Sequence, residues 1–252
     1  MRKNVLSVIA AILLMLLSAA NPADAATVLT GSRSTGGGGL VGFGGWDGID
    51  DAGFQVSWLI TQSAAGQPWN YQYTFTGATT DVSGAANPLL KGISHLILEL
   101  SPGVLEGDLS NIMAGWDSMT YSTDASLVDV ATHLAGSSGN PGLLSDVYGV
   151  KYELPQDADP KQMTFAFTVN RAPILGNLYV KDGVDKGVNT YVYNAGIASA
   201  PVDLYDFNNV NYIVRPDTSA VMVPLPASAW GGLGLIAAVG VVHWRRRLRR
   251  CC

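Results

Sequence analysis

Between Phe54 and Arg215 the chain repeats one pattern. Short runs alternate apolar and polar side chains, or gather β-branched and aromatic residues, and each run is bounded by Gly, Pro, Asn or Asp. Phe54 to Ile60 is one such run, and Tyr71-Gln72-Tyr73-Thr74-Phe75 puts three aromatic rings on one face of a strand. Ser94 to Leu100 places Leu96, Leu98 and Leu100 together. Val147 to Leu154, Met163 to Val169, Leu178 to Lys181, Thr190 to Tyr193 and Tyr212 to Arg215 read the same way. Away from the two ends of the chain, helical spacing shows only in Leu109 to Met119 and Ser126 to Ala135, both weakly. The economical solution is all-β: an antiparallel β-sandwich, jelly-roll or immunoglobulin-like, with long loops.

The turn chemistry agrees. Residues 26 to 222 hold 25 Gly and 9 Pro, a density that interrupts helices and suits many tight turns. Gly36 to Gly45 contains seven glycines and is either a flexible lead-in or a set of turns with positive φ. Gly136-Ser137-Ser138-Gly139-Asn140-Pro141-Gly142 is a second long loop, and Pro216 to Val223 reads as a linker.

The ends have a different composition. Arg2 and Lys3 precede an apolar run from Val5 to Leu17, after which Asn21 and Pro22 break any helix before Ala23-Asp24-Ala25. This is the layout of a secretory signal peptide, 1 to 25, with small residues at the -3 and -1 positions of a cleavage site after Ala25. At the other end, Leu225 to Trp244 is twenty residues without a formal charge, long enough to cross a bilayer core, and Arg245, Arg246, Arg247, Arg249 and Arg250 follow at once. The positive-inside rule keeps that cluster cytoplasmic and turns residues 26 to 222 outward, the topology that the signal peptide also implies.

Val223-Pro224-Leu225-Pro226-Ala227 precedes the span. Two prolines one residue apart cannot join a regular helix, so an extended, accessible segment is expected at the outer boundary of the membrane, where a membrane-embedded protease can bind it as a strand. The order of Pro-x-Pro motif, short Gly- and Ala-rich span and terminal arginines resembles the PEP-CTERM sorting signal in its VPLPA form, over about thirty residues. The resemblance implies an exosortase-like partner that removes the tail, residues 223 to 252, and passes the protein to the cell surface or its polysaccharide matrix. The common form of the motif has Glu where this chain has Leu225. Phrases between residues 92 and 196, among them Gly92-Ile93-Ser94-His95, Asn170-Arg171-Ala172-Pro173, Lys181-Asp182-Gly183 and Tyr193-Asn194-Ala195-Gly196, resemble ectodomains that carry this tail.

Charge narrows the partners. Seven of the 15 Lys and Arg lie in the ends, which leaves 8 basic against 19 acidic side chains in residues 26 to 222, a net charge of -11. Nucleic acid is excluded as a partner, since phosphate binding needs a basic face. The two cysteines are Cys251 and Cys252, so the exported part has no disulfide, cysteine nucleophile or thiolate metal site.

Candidate chemistry is sparse. Gly37-Gly38-Gly39-Leu40-Val41-Gly42 fits G-x-G-x-x-G but lacks the surrounding βαβ pattern. His95 and His133 have no metal-spaced partner, and no G-x-S-x-G turn supplies a nucleophile. Aspartates cluster at 47, 50 and 51, at 157 and 159, at 182 and 185, and at 203 and 206; they are calcium ligands or solvated turn residues, and none has the order of a known calcium loop. Trp46, Trp58, Trp69 and Trp116 are sandwich core or a stacking platform for sugars. The expectation is a non-enzymatic surface or matrix protein with no cofactor, no metal ligand set and no catalytic residue. A carbohydrate- or calcium-binding adhesin and a secreted hydrolase are the alternatives. The membrane, through the C-terminal helix, and polysaccharide are the remaining partners.

Overall fold

The computed structural model describes residues 26–47, 53–77, 93–116, 119–122, 127–154, 162–185 and 188–220. The signal peptide, its cleavage residues Ala23 and Ala25, the motif Val223 to Ala227, the apolar span and the five arginines lie outside the described residues. Within them, no helix is long and apolar enough to cross a membrane.

Among the described residues fourteen strands follow one another: β1 Thr27–Ser34, β2 Leu40–Phe43, β3 Gln55–Gln62, β4 Trp69–Thr76, β5 His95–Glu99, β6 Ser110–Trp116, β7 Met119–Ser122, β8 Val128–His133, β9 Val147–Glu153, β10 Gln162–Val169, β11 Arg171–Gly176, β12 Leu178–Asp185, β13 Val188–Asn194 and β14 Ile213–Ala220. A front sheet has the order β1-β3-β4-β10-β6-β7, a back sheet the order β2-β13-β12-β5-β9-β8, and β11 pairs with β14. All of these pairings are antiparallel. The protein is all-β, and two six-stranded sheets with a common core are consistent with a sandwich.

Alternation builds that core. Val56, Trp58 and Ile60 of β3, Tyr71, Tyr73 and Phe75 of β4, and Met163, Phe165 and Phe167 of β10 turn inward from the front sheet; Leu96, Leu98, Val150, Tyr152, Val180 and Val192 meet them from the back sheet. Tyr152 stacks on Phe165 across the interface, with centroids 5.3 Å apart. The Tyr71 and Tyr73 hydroxyls donate to the Arg171 and Val214 carbonyls, each at 2.8 Å, so the aromatic face of β4 also anchors the β11–β14 pair. Burial pushes both phenols well above their ordinary pKa.

Two expectations are corrected and one is completed. The two weak helix windows are strands, β6 and β8: Val128 and Val130 alternate with Asp129, and pairing with β9 satisfies the backbone that a helix would have satisfied internally. β6 pairs with β10 on one side and β7 on the other. Of the two readings of the glycine run, turns with positive φ are present at Gly38, Gly39 and Gly44, and what the sequence did not announce is the strand β2 between them. Finally, the segment from Pro216, expected as a linker, continues β14 to Ala220. Pro216 is tolerated because it faces Pro173 in a two-stranded pair, where a missing N–H costs little.

Candidate functional site

The outer face of the back sheet gathers the polar and aromatic side chains that the sandwich core does not use. Register places Phe43 beside Tyr191, Tyr191 beside Lys181, Lys181 beside His95, and His95 beside Glu153; the neighbouring row runs Val41, Tyr193, Tyr179, Ile97 and Lys151. The rings form a ladder: Phe43 to Tyr191 is 4.7 Å, Tyr191 to Tyr193 6.3 Å, Tyr179 to Tyr191 6.2 Å and His95 to Tyr179 6.0 Å. Most of the ladder is under cover. Leu143, Val147 and Ile197 join Ile97, Tyr179 and Tyr193 in a second apolar cluster, and Gly142, at φ +75°, packs so closely on Tyr191 that a Cβ would lie 2.2 Å from its ring. Only Phe43, on the edge strand, is open, at 40% exposure.

His95 sits where that cover is pinned. Its Nε2 lies 3.1 Å from Asn140 Oδ1, and its Nδ1 lies 3.3 Å from Ser94 Oγ, which also donates to the Lys181 carbonyl. The Tyr179 hydroxyl donates to the Pro141 carbonyl at 2.8 Å, so two side chains of the sheet hold the same loop. Burial, then the nearby charges of Lys151 and Lys181, bring the His95 pKa down to about 4, against smaller raising effects of the Asn140 hydrogen bond and Glu153. The ring is therefore neutral at physiological pH. Ser94, His95 and Asn140 superficially suggest a hydrolytic trio, yet an imidazole with so low a pKa is a weak base and an amide cannot stabilise imidazolium as a carboxylate would. The arrangement clamps a loop.

Two of the clefts among the described residues each hold an arginine. One, of about 330 Å³, is lined by Glu99, Ser145, Leu175, Asn177, Leu204, Arg215 and the 197–201 segment. At its base the buried Arg215 donates to Glu99 Oε1 at 2.8 Å, to Ser101 and to the Pro216 carbonyl, while Glu99 Oε2 accepts from the Asn177 N–H. Gly176 makes room for the guanidinium, since a Cβ there would lie 2.0 Å from Nε. Its charge is matched by Glu99 rather than turned to a ligand. The other cleft, of about 260 Å³, lies where Arg33 covers Trp58 at 5.0 Å and donates to the Tyr212 and Asn209 carbonyls.

The remaining sequence candidates are spread apart. Trp46, Trp58 and Trp69 are 2%, 5% and 8% exposed, which makes them core rather than platform; the Trp116 side chain lies outside the described ones. Asp203 and Asp206 accept from the Tyr205 and Asn208 N–H groups and so act as turn residues. Asp182 is buried in β12, and positions 50, 51, 157 and 159 lie outside the described residues. His133 is buried with Nε2 3.2 Å from the Gly149 carbonyl. Among the described residues no three His, Cys, Asp or Glu come together as a metal site would require. The aromatic ladder was missed in the sequence. Tyr191 and Tyr193 announce one face of β13, but nothing local says that Phe43 will lie beside them.

The chain matches no protein-family model and no curated protein. Among solved structures it resembles the KRT10-binding region domain of the pneumococcal serine-rich repeat protein PsrP, at 11% identity over 76% of this chain and 99% of that one, with a TM-score of 0.24. So low a score carries nothing about fold or ligand.

Proposed function

We propose that this chain is an exported, non-enzymatic protein whose tail is the substrate of an exosortase-like membrane protease, and whose acidic β-domain then serves as a structural or adhesive component of the cell surface or the extracellular polysaccharide matrix. The observation that carries this is the order of parts in the tail: Val223-Pro224-Leu225-Pro226-Ala227, an uncharged span, then Arg245 to Arg250. In this reading Pro224 and Pro226 are recognition residues and the arginines hold the tail in place until cleavage, because charged side chains are costly to draw through a bilayer. Residues 1–25 are read as the signal peptide that starts export. Within the all-β class we read the two six-stranded sheets as an antiparallel sandwich, jelly-roll or immunoglobulin-like, that exceeds the usual strand number of either kind.

The mass of the mature C-terminus from the native host tests the sorting step. Surface or matrix protein is expected to end near Pro226 and to lack Trp244 and both cysteines. With Pro224→Ala and Pro226→Ala together, helix can extend through the motif and full-length protein should remain in the inner membrane. Intact Cys252 in wild-type surface material would overturn the proposal in favour of a permanent anchor.

A further inference from the structure

The cleft of about 330 Å³ is assembled from distant parts of the chain: Glu99 at the end of β5, Ser145 before β9, Asn177 between β11 and β12, the segment from Ile197 to Leu204, and Arg215 near the start of β14. Hydrogen bonds fix its walls. The Leu175 N–H donates to the Leu204 carbonyl at 2.8 Å, the Glu99 N–H to the Asn177 carbonyl at 2.9 Å, and Ser145 Oγ to the Ile197 carbonyl at 2.9 Å. Arg215 and the Asn177 N–H each hold one oxygen of Glu99, at 2.8 Å, so the carboxylate is oriented before any ligand arrives.

These lining groups keep hydrogen-bonding capacity. A carboxylate has about four lone-pair sites. Glu99 gives one at each oxygen to the protein, and its side chain is 22% exposed. Asn177 Oδ1 accepts from Asn194 at 3.0 Å, while among the described residues its Nδ2 donates to nothing. Ser145 Oγ has given its proton to Ile197 and keeps lone pairs to offer. The cleft therefore combines two acceptor side chains and one donor with the apolar side chains of Ile197, Pro201 and Leu204.

Charge then selects the class of ligand. Arg215 is buried and already matched by Glu99, so an anion would meet the more exposed carboxylate, and a cation would have to compete with Arg215 for it. An uncharged ligand must donate to both Glu99 and Ser145 and accept from Asn177 within a small volume. A peptide unit has a single donor for these acceptors, whereas hydroxyls on adjacent carbons are each donor and acceptor. We infer that this cleft binds one neutral hexopyranose unit, its hydroxyls donating to Glu99 and Ser145 and accepting from Asn177 Nδ2, with ring C–H groups against Pro201 and Leu204. The volume is at the low end of small-ligand sites, which suits a single ring. The site itself does not depend on how the tail is processed; only the surrounding polysaccharide as the source of the sugar rests on the proposed surface role.

Saturation-transfer NMR on the full-length chain, in a detergent without a sugar head group, tests the inference with glucose, galactose, mannose and their methyl glycosides. At least one of these should give a signal that glucuronic acid and glucosamine do not displace. Ala198→Trp places an indole at an exposed position of the cleft lining, removes no side-chain hydrogen bond, and should abolish the signal with the melting midpoint unchanged. Asn177→Asp keeps an acceptor for Asn194 but replaces the spare donor, and should weaken binding roughly tenfold or more. Binding of a methyl glycoside supports the site and a chain-end sugar as its ligand; binding of free sugars alone supports the site with a free monosaccharide as its ligand. Silence from every neutral hexose, tighter binding of either charged sugar, or an undiminished signal in Ala198→Trp would each overturn the inference. An uncleaved tail in surface material would leave all of these expectations in place.

Discussion

The core between the sheets and the cluster on the outer face of the back sheet both bury aromatic rings, but they are held in different ways. Between the sheets, Phe165 and Tyr152 exclude water because two sheets present apolar faces to each other, and the polar ends of Tyr71 and Tyr73 are satisfied by the Arg171 and Val214 carbonyls. On the outer face the rings are covered by loop, and the 135–143 loop stays down through individual polar contacts, Asn140 on His95 and the Pro141 carbonyl on Tyr179, while the fully buried Asn194 beside them accepts from the Leu178 N–H and donates to Asn177 and Asn211. Burial between sheets rests on area; burial under a loop rests on a few hydrogen bonds that can be switched off one at a time.

Core truncation should show the largest effect. Phe165→Ala removes a ring that packs on Tyr152 and Phe167 from opposite sheets, and is expected to cost about 3–5 kcal/mol in denaturant unfolding. A cost below about 1 kcal/mol would mean that the two sheets do not share this core.

Acid separates the two regions next. Because burial holds the His95 ring neutral in the fold, with a pKa of about 4 against an ordinary 6.5, its contribution is complete above pH 6.5 and is lost as the pH falls toward 4, where the unfolded chain takes up the proton first. The expected loss is about 3 kcal/mol across that window. His95→Gln should flatten the dependence of the melting midpoint between pH 6.5 and 5. His133, also lowered by burial, is the control, since its ring bonds a sheet carbonyl rather than the loop. Proteolysis of the 135–143 loop should rise on acidification in the unaltered chain; a loop that stays protected at pH 4 would show that His95 does not hold it.

The smallest effect belongs to the open end of the ladder. Phe43→Ala gives up one stacked contact and little burial, so about 0.5–1 kcal/mol is expected. A loss as large as that of Phe165→Ala would mean that the outer row is an extension of the main core.

Strands β3, β4, β9 and β10 were legible because the side-chain period of two is a local property, and Tyr71, Tyr73 and Phe75 carry it without interruption. β6 was illegible for the same reason, since Leu109, Ile112 and Met113 happen to meet helical spacing and only the neighbouring β10 decides between the two. In β5 the pattern was half right: Leu96 and Leu98 face the sandwich core as expected, but Ile97 on the opposite face is buried too, under a cover that begins some forty residues later.

Export, the membrane span and the sorting motif are readings of the ends alone, where charge, length and proline act through neighbours in sequence. The class of fold followed from the sequence as well, through alternation and turn residues. Tertiary structure alone decided which strands became edges, that Phe43 would stack on Tyr191, that Arg215 would find Glu99 116 residues away, and that His95 would be neutral beneath Asn140. Each of these depends on loop closure between distant segments, and the free energy of bringing such segments together is set by the whole core rather than by the residues that finally touch.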